Sequence, residues 1–186
     1  MITTVGVGDV LAVNTGTVFG HLIELGEEMM GEAHKVDHVI IAHHQDKLGT
    51  WWGIEGRPGG VGWRELDRYL DGDHVRFDNS NAWQERTAEQ RKHIAGLAQL
   101  MLVTRYDWAG GIAADTFEAF NLPELAGLVD RWWGWVPGAD RPGHVVCSSL
   151  ASWVYGKLGL DRPAVPAEVT TPGDWWTYNE RHGNAS

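Results

Sequence analysis

A lone cysteine, a histidine set in an apolar run and a glutamate on the next apolar segment are the residues of this chain best suited to nucleophilic chemistry. Cys147 is the only cysteine among 186 residues. The apolar residues after it, Leu150, Ala151, Val154, Tyr155 and Leu158, recur at helical spacing, and Gly159 is a stop signal. That pattern puts the thiol on the first turn of a buried helix. Unpaired backbone N–H groups and the helix dipole there favour the nucleophilic thiolate and offer donors to an oxyanion. The same pattern also fits a small core hydrophobe, the role most free cysteines play.

A cysteine nucleophile needs a base within hydrogen-bond reach, and the base needs an orienting group. Nine histidines compete for the first role. His38 stands out because it interrupts the apolar strand pattern Val36 to Ala42, where a polar side chain must be paired or useful. A hairpin centred between Asp46 and Lys47 puts Glu55 directly opposite His38, on the same sheet face. A carboxylate there would hold the imidazole's tautomer and favour its protonated form. Asp37 adjoins His38 and so points to the opposite face. A plain cross-strand ion pair is the other reading of His38 and Glu55.

The remaining motifs exclude more than they suggest. His34, His38, His43 and His44 lack compact ligand spacing, and adjacent His43 and His44 would point to opposite faces of a strand, so no metal site is expected. His144 reads as a strand-end residue. Gly56 to Gly60 matches neither phosphate-loop pattern, and no Gly-x-Ser-x-Gly elbow exists.

The elements that must position these groups are strands first and helices later, an α+β pattern. Strands are expected at Gly8 to Val13, Val36 to Ala42, Thr50 to Glu55 and His74 to Phe77, with a turn at Gly56 to Gly60. Short helical signals run from His21 to Leu25 and from Trp63 to Leu70. Thr87-Ala-Glu-Gln90 fits a capping box that opens a helix reaching about Val103, with Ile94, Leu97, Ala98, Met101 and Leu102 on its buried face. Tyr106 to Gly111 reads as a loop, Asp115 to Trp133 as a helical pair broken at Pro123, and Pro163 to Ser186 as a tail wrapping the surface.

Length and composition fit one ordinary globular domain, 43% hydrophobic and 22% charged. Eleven tryptophans are unusual and cluster at Trp51-Trp52, Trp132-Trp133-x-Trp135 and Trp175-Trp176. A formal net charge of −10 without a basic stripe argues against nucleic acid as a partner. No apolar run approaches membrane-spanning length, and the first residues lack the charged and apolar regions of a signal peptide. A cytoplasmic protein, or one released without a signal peptide, is the expectation. Oligomeric state is left open.

Four short motifs share an order. Gly8-Asp9-Val10, then Asp37-His38-Val39-Ile40, then Ile54-Glu55-Gly56 with Pro58-Gly-Gly-Val61, and a late Cys147-Ser148-Ser149-Leu150 together resemble the circularly permuted branch of the NlpC-type papain-like cysteine hydrolases. Tyr106-Asp-Trp-Ala-Gly-Gly111 resembles the segment that precedes the cysteine in that superfamily. The resemblance implies a papain-like α+β fold, in which a small antiparallel sheet packs against the cysteine helix. It implies a hydrolase without a cofactor, cleaving an amide bond in a peptidoglycan peptide or similar substrate through an acyl-enzyme. A thioesterase or acyltransferase, or a non-catalytic binding module, is the alternative. Cys147, His38 and Glu55 would be the triad, and Tyr106, Ser148 and Asp9 would bind substrate or oxyanion. Cys-Ser-Ser replaces the usual Cys-Ser-Gly, which loosens the substrate inference. The tryptophan-rich insertion at about 112–143 would be either a lid or a packed helical hairpin.

Overall fold

Four strands carry the fold, and each begins or ends where glycine or a polar turn interrupts an apolar run. They are β1 (Val10–Val13), β2 (His38–Gln45), β3 (Trp51–Arg57) and β4 (Gly60–Glu65), with a two-residue edge strand β5 (Arg76–Phe77). The sheet is antiparallel throughout, in the order β4-β3-β2-β1-β5. This computed structural model describes residues 5–16, 36–57, 60–70, 76–77, 86–102, 105–106, 144–145, 147–167 and 170–183. The helical signal at His21, the helical pair and the tryptophan-rich insertion lie outside those residues.

Both faces of the central strands are buried, which is why β1 and β2 read as continuous apolar runs rather than alternating ones. Val10, Ala12, Val39, Ile41 and Ile54 pack with the helices. Leu11, Val13, Ile40 and Ala42 pack with Leu66 and Tyr69 on the other side. Between them Gly53 has no room for a side chain. A Cβ there would stand 2.6 Å from Ile40 Cγ2 and 2.9 Å from the Ile41 carbonyl.

Four helices are described: α1 (Asp67–Leu70), α2 (Ala88–Leu100), α3 (Cys147–Lys157) and α4 (Pro172–Gly183). The capping box that opens α2 is present in full. Gln90 N donates to Thr87 Oγ1 at 3.2 Å, and Thr87 N donates to Gln90 Oε1 at 2.9 Å. Helix α3 begins at Cys147 as expected and ends in a Schellman turn. Leu160 N donates to the Tyr155 carbonyl and Gly159 N to the Gly156 carbonyl, with Gly159 at φ 62°. A two-stranded parallel ladder, β6 (Arg105–Tyr106) with β7 (His144–Val145), brings the chain to the start of α3.

Three expectations need correction. The segment from Trp63 is not a helix; residues 60–65 form β4, and only Asp67–Leu70 is helical. Leu66 and Leu70 do stand four apart, but the hairpin with β3 claims the residues before them, so tertiary pairing overrides the local period. Tyr106 lies on a short strand rather than in a loop. The C-terminal segment does not merely wrap the surface. Helix α4 buries Trp175 completely and Trp176 and Tyr178 almost so, all within the core under α3. Its start carries a signal visible in the sequence: Pro172 at the first helical position, and Thr171 and Asp174 capping each other through side chain and backbone.

Candidate active site

Cys147 is the first residue of α3 and is 5% exposed. Its helix is held at the first turn from outside. The Ser148 hydroxyl donates to the Thr170 carbonyl, Ser152 donates to Thr170 Oγ1 at 3.1 Å, and Trp175 Nε1 donates to the Ser148 carbonyl at 3.2 Å. Two turns on, the Tyr155 hydroxyl donates to the Gly8 carbonyl at 2.7 Å and ties α3 to the turn before β1. Gly8 takes φ 83°, a left-handed conformation that disfavours a side chain. The thiol thus sits on a helix end whose rotation and height are fixed by β1 and α4 together.

His38 opens β2, and its position is fixed from the residue before it. Asp37 N donates to the Val13 carbonyl, while its carboxylate accepts from Thr15 N at 2.8 Å and from the Thr15 hydroxyl at 2.5 Å. Asp37 is therefore occupied in joining β1 to β2. Cys147 is near enough to His38 to raise its pKa through charge and hydrogen bonding. His38 Nε2 lies 2.7 Å from Glu55 Oε2, which leaves Nδ1 as the ring nitrogen for the sulfur.

Glu55 faces His38, but not by direct opposition. The ladder between β2 and β3 pairs Ile41 with Ile54 and Ala42 with Gly53, then slips by one residue between Ala42 and His44. Its last pair before the site, Ile41 with Ile54, is two residues out of step with a direct pairing of His38 and Glu55. His38 and Glu55 are diagonal neighbours on one face, within reach for long side chains. The expected turn centre overlooked the bulge at His43 and a wider loop, closed by Asp46 N to the Thr50 carbonyl at 2.9 Å with Gly49 at φ 91°.

The carboxylate of Glu55 is fully buried among cations. Arg64 Nε lies 3.0 Å from Oε1, a charge contact without hydrogen-bond alignment, and Arg57 Nη1 lies 3.5 Å from the same oxygen. Burial alone would raise the Glu55 pKa. The hydrogen bond and charge of His38, then Arg64 and Arg57, outweigh burial and hold it below the usual carboxylate range. For His38 burial acts downward, but the charge and hydrogen bond of Cys147, followed by those of Glu55, win and raise its pKa to about 10. The imidazole is therefore held as an imidazolium at neutral pH, between a sulfur and a carboxylate.

Not every residue singled out from the sequence joins this chain of contacts. Asp9 does not. Its buried carboxylate accepts from Gly6 N at 2.6 Å and from Arg91 Nη1 at 2.7 Å, and it precedes the end of β1 remote from His38, which pairs with Val13. Ser148 is 2% exposed with its hydroxyl committed to Thr170, so its side chain holds the helix rather than a ligand. Tyr106 is placed by its backbone opposite Val145, two residues before Cys147. Arg57 and Arg64 were missed. Their signal was spacing: Arg57 shares a strand face with Glu55, and Arg64 pairs with Gly53 on the neighbouring strand.

No protein-family model matches the chain, and no curated protein matches its sequence. Its possible chemistry rests on its own residues. Among the described residues, no group of three or more His, Cys, Asp or Glu is arranged to hold a metal ion. No described helix is long and apolar enough to cross a membrane.

Proposed function

We propose that this protein is a cysteine hydrolase that cleaves an amide or a related acyl bond through an acyl-enzyme, with Cys147, His38 and Glu55 as its triad. The observation that carries the reading is His38 held at 2.7 Å by the buried Glu55 carboxylate and near enough to Cys147, on the first turn of α3, for the sulfur to raise its pKa. The order of the motifs, with histidine first, then acid, then cysteine, supports kinship with the permuted papain-like hydrolases. So does the antiparallel sheet packed against the cysteine helix.

In this mechanism the Cys147 thiolate attacks the carbonyl carbon of the substrate. The developing oxyanion is met by the Cys147 backbone N–H, which lies in the first turn of α3 and has no partner within the helix. As the tetrahedral intermediate collapses, His38 gives its Nδ1 proton to the leaving nitrogen and the amine departs. Water then enters, His38 takes its proton, and the hydroxide attacks the thioester carbon. Collapse of the second intermediate releases the carboxylic acid and restores the thiolate–imidazolium pair. Glu55 holds Nε2 throughout, so the ring keeps its orientation while Nδ1 exchanges protons.

Alkylation with iodoacetamide at pH 6–7, with the modified residue located by mass spectrometry, tests the reading together with a panel of peptide amides, esters and acyl thioesters. Cys147 is expected to react within minutes in the folded protein, and Cys147→Ser is expected to keep the fold and lose all turnover. A thiol that stays inert until the protein unfolds makes Cys147 a core residue and the protein a binding module.

A further inference from the structure

The cations around Glu55 exceed what that carboxylate needs, and the excess has a direction. Arg64 is 28% exposed and its Nε approaches Oε1 closely. Arg57 touches the same oxygen only loosely, at 3.5 Å through Nη1, and keeps 43% of its side chain exposed. Its guanidinium lies over Gly62, where a Cβ would stand 3.2 Å from Nη2. Glu55 pairs with Gly62, so a side chain at that position would crowd the guanidinium. Arg57 and His38 meet opposite oxygens of one carboxylate: Arg57 Nη1 lies 3.5 Å from Glu55 Oε1, and His38 Nε2 lies 2.7 Å from Oε2. The guanidinium therefore stands one carboxylate away from the imidazole, close enough to meet a group held beside it.

Charge around the site points the same way. Arg57 and Arg64 supply two fixed positive groups against the single carboxylate of Glu55, in a chain whose formal net charge is −10. A local cationic excess inside an acidic protein attracts anions to that place and repels them elsewhere. The partner of Glu55 that is both loosely held and exposed is the one able to turn part of its fork toward a ligand.

Resting on the triad reading, we infer that Arg57 is a specificity-determining residue that binds an anionic group, a carboxylate or a phosphate, on the acyl substrate next to the scissile carbonyl. Guanidinium meets either group through paired N–H donors, so the two share one recognition chemistry. The attacked substrate is accordingly an acidic one, and a neutral acyl compound of the same shape is a poorer one.

Alkylating agents of different charge read this without knowing the natural substrate. Iodoacetate and iodoacetamide deliver the same carbon to the same sulfur, one with a carboxylate and one without. Native protein is expected to favour iodoacetate. In Arg57→Gln that preference is expected to fall about fivefold, the scale of one charge interaction at a partly solvated site, while Arg57→Lys retains most of it. Because Arg57 is exposed, neither variant should disturb the fold, and thermal unfolding checks this. Protection of Cys147 from iodoacetamide by inorganic phosphate or by succinate then assigns the group as phosphate or carboxylate. An iodoacetate preference unchanged in Arg57→Gln overturns the inference. So does an equal loss with both reagents, which makes Arg57 a positioning residue for Glu55. Failure of both reagents to modify the folded native protein instead overturns the triad itself.

Discussion

The two ends of β2 carry histidines that the same strand treats in opposite ways. At its start, His38 is nearly buried and its pKa is raised to about 10. Near its far end, about 17 Å along the strand, His43 is half-buried and its pKa is lowered. Burial acts downward on both. What differs is the partner. His38 lies between a sulfur and a buried carboxylate. His43 Nε2 meets the neutral Gln99 Oε1 at 3.2 Å, and its Nδ1 meets His44 Nδ1 at 2.9 Å. A charge-rich neighbourhood turns a buried histidine into a fixed cation, and a neutral one turns it into a packing group. Trp63 stacks edge-on against both His43 and His44, as expected for the second kind.

The largest test of that contrast removes the charged partner at one end and the neutral partner at the other. Glu55→Ala strands Arg64, Arg57 and His38 around an empty position and is expected to cost about 3–5 kcal/mol, as breaking a buried ion pair does. It should also slow iodoacetamide alkylation of Cys147 by at least tenfold, because the ring loses its orienting group. Glu55→Gln keeps a hydrogen-bond acceptor and should cost less. Gln99→Ala, by contrast, should stay within about 0.5 kcal/mol, as surface changes do. Urea unfolding of the variants measures the stabilities, and equal costs at the two ends would defeat the comparison.

These two ends also show what the sequence could and could not reveal. His38 was legible because a polar residue inside an apolar run demands a partner, and Glu55 because a hairpin must return a residue to face it. The start of α3 at Cys147 and the Thr87–Gln90 capping box were legible for the same local reason: short-range spacing dictates them. The register was not. A bulge between Ala42 and His44 adds one residue to β2, and the bulge lets adjacent His43 and His44 meet through Nδ1 although a regular strand would separate them. The same bulge, with the wider loop, takes Glu55 out of direct opposition to His38. Nothing in the local composition near His43 announces a bulge. Arg64 was hidden because its nearness to Glu55 depends on the register of β3 with β4, whereas Arg57 stood in plain view two residues on from Glu55. Helix α4 escaped for another reason: Pro163, Pro166 and Pro172 read as the punctuation of a surface tail, while its packing beneath α3 is a long-range fact.

The pH dependence of stability sharpens the contrast at the His38 end. A histidine whose folded pKa lies above its unfolded value contributes stability that is fully present below about 6.5 and is lost as pH rises through about 10. The stability difference between native protein and His38→Gln should therefore hold steady from pH 5 to 6.5 and shrink steadily toward pH 10. Chemical denaturation across that range measures it. A difference that grows on the alkaline side would mean that the folded protein prefers the neutral ring.

At the His43 end the sign reverses and the effect is the smallest of the set. A folded pKa below the unfolded value means that the neutral ring is the favoured form. Its contribution is present above about 6.5 and disappears as pH falls through the lowered value. The geometry gives the reason. Burial disfavours the cation most; the hydrogen bond to Gln99 acts the other way, and repulsion from His44 at 2.9 Å sides with burial. His43→Gln removes the titrating group while retaining an amide able to face Gln99. It should flatten the acid limb of the stability curve between pH 6.5 and 5 and leave the alkaline limb untouched. Because His43 stands apart from the triad, Cys147 alkylation in this variant should stay within about twofold of native, a change of under about 0.5 kcal/mol in barrier. An acid limb that steepens in His43→Gln would show that His43 is favoured as a cation, and the two ends of β2 would then no longer differ in kind.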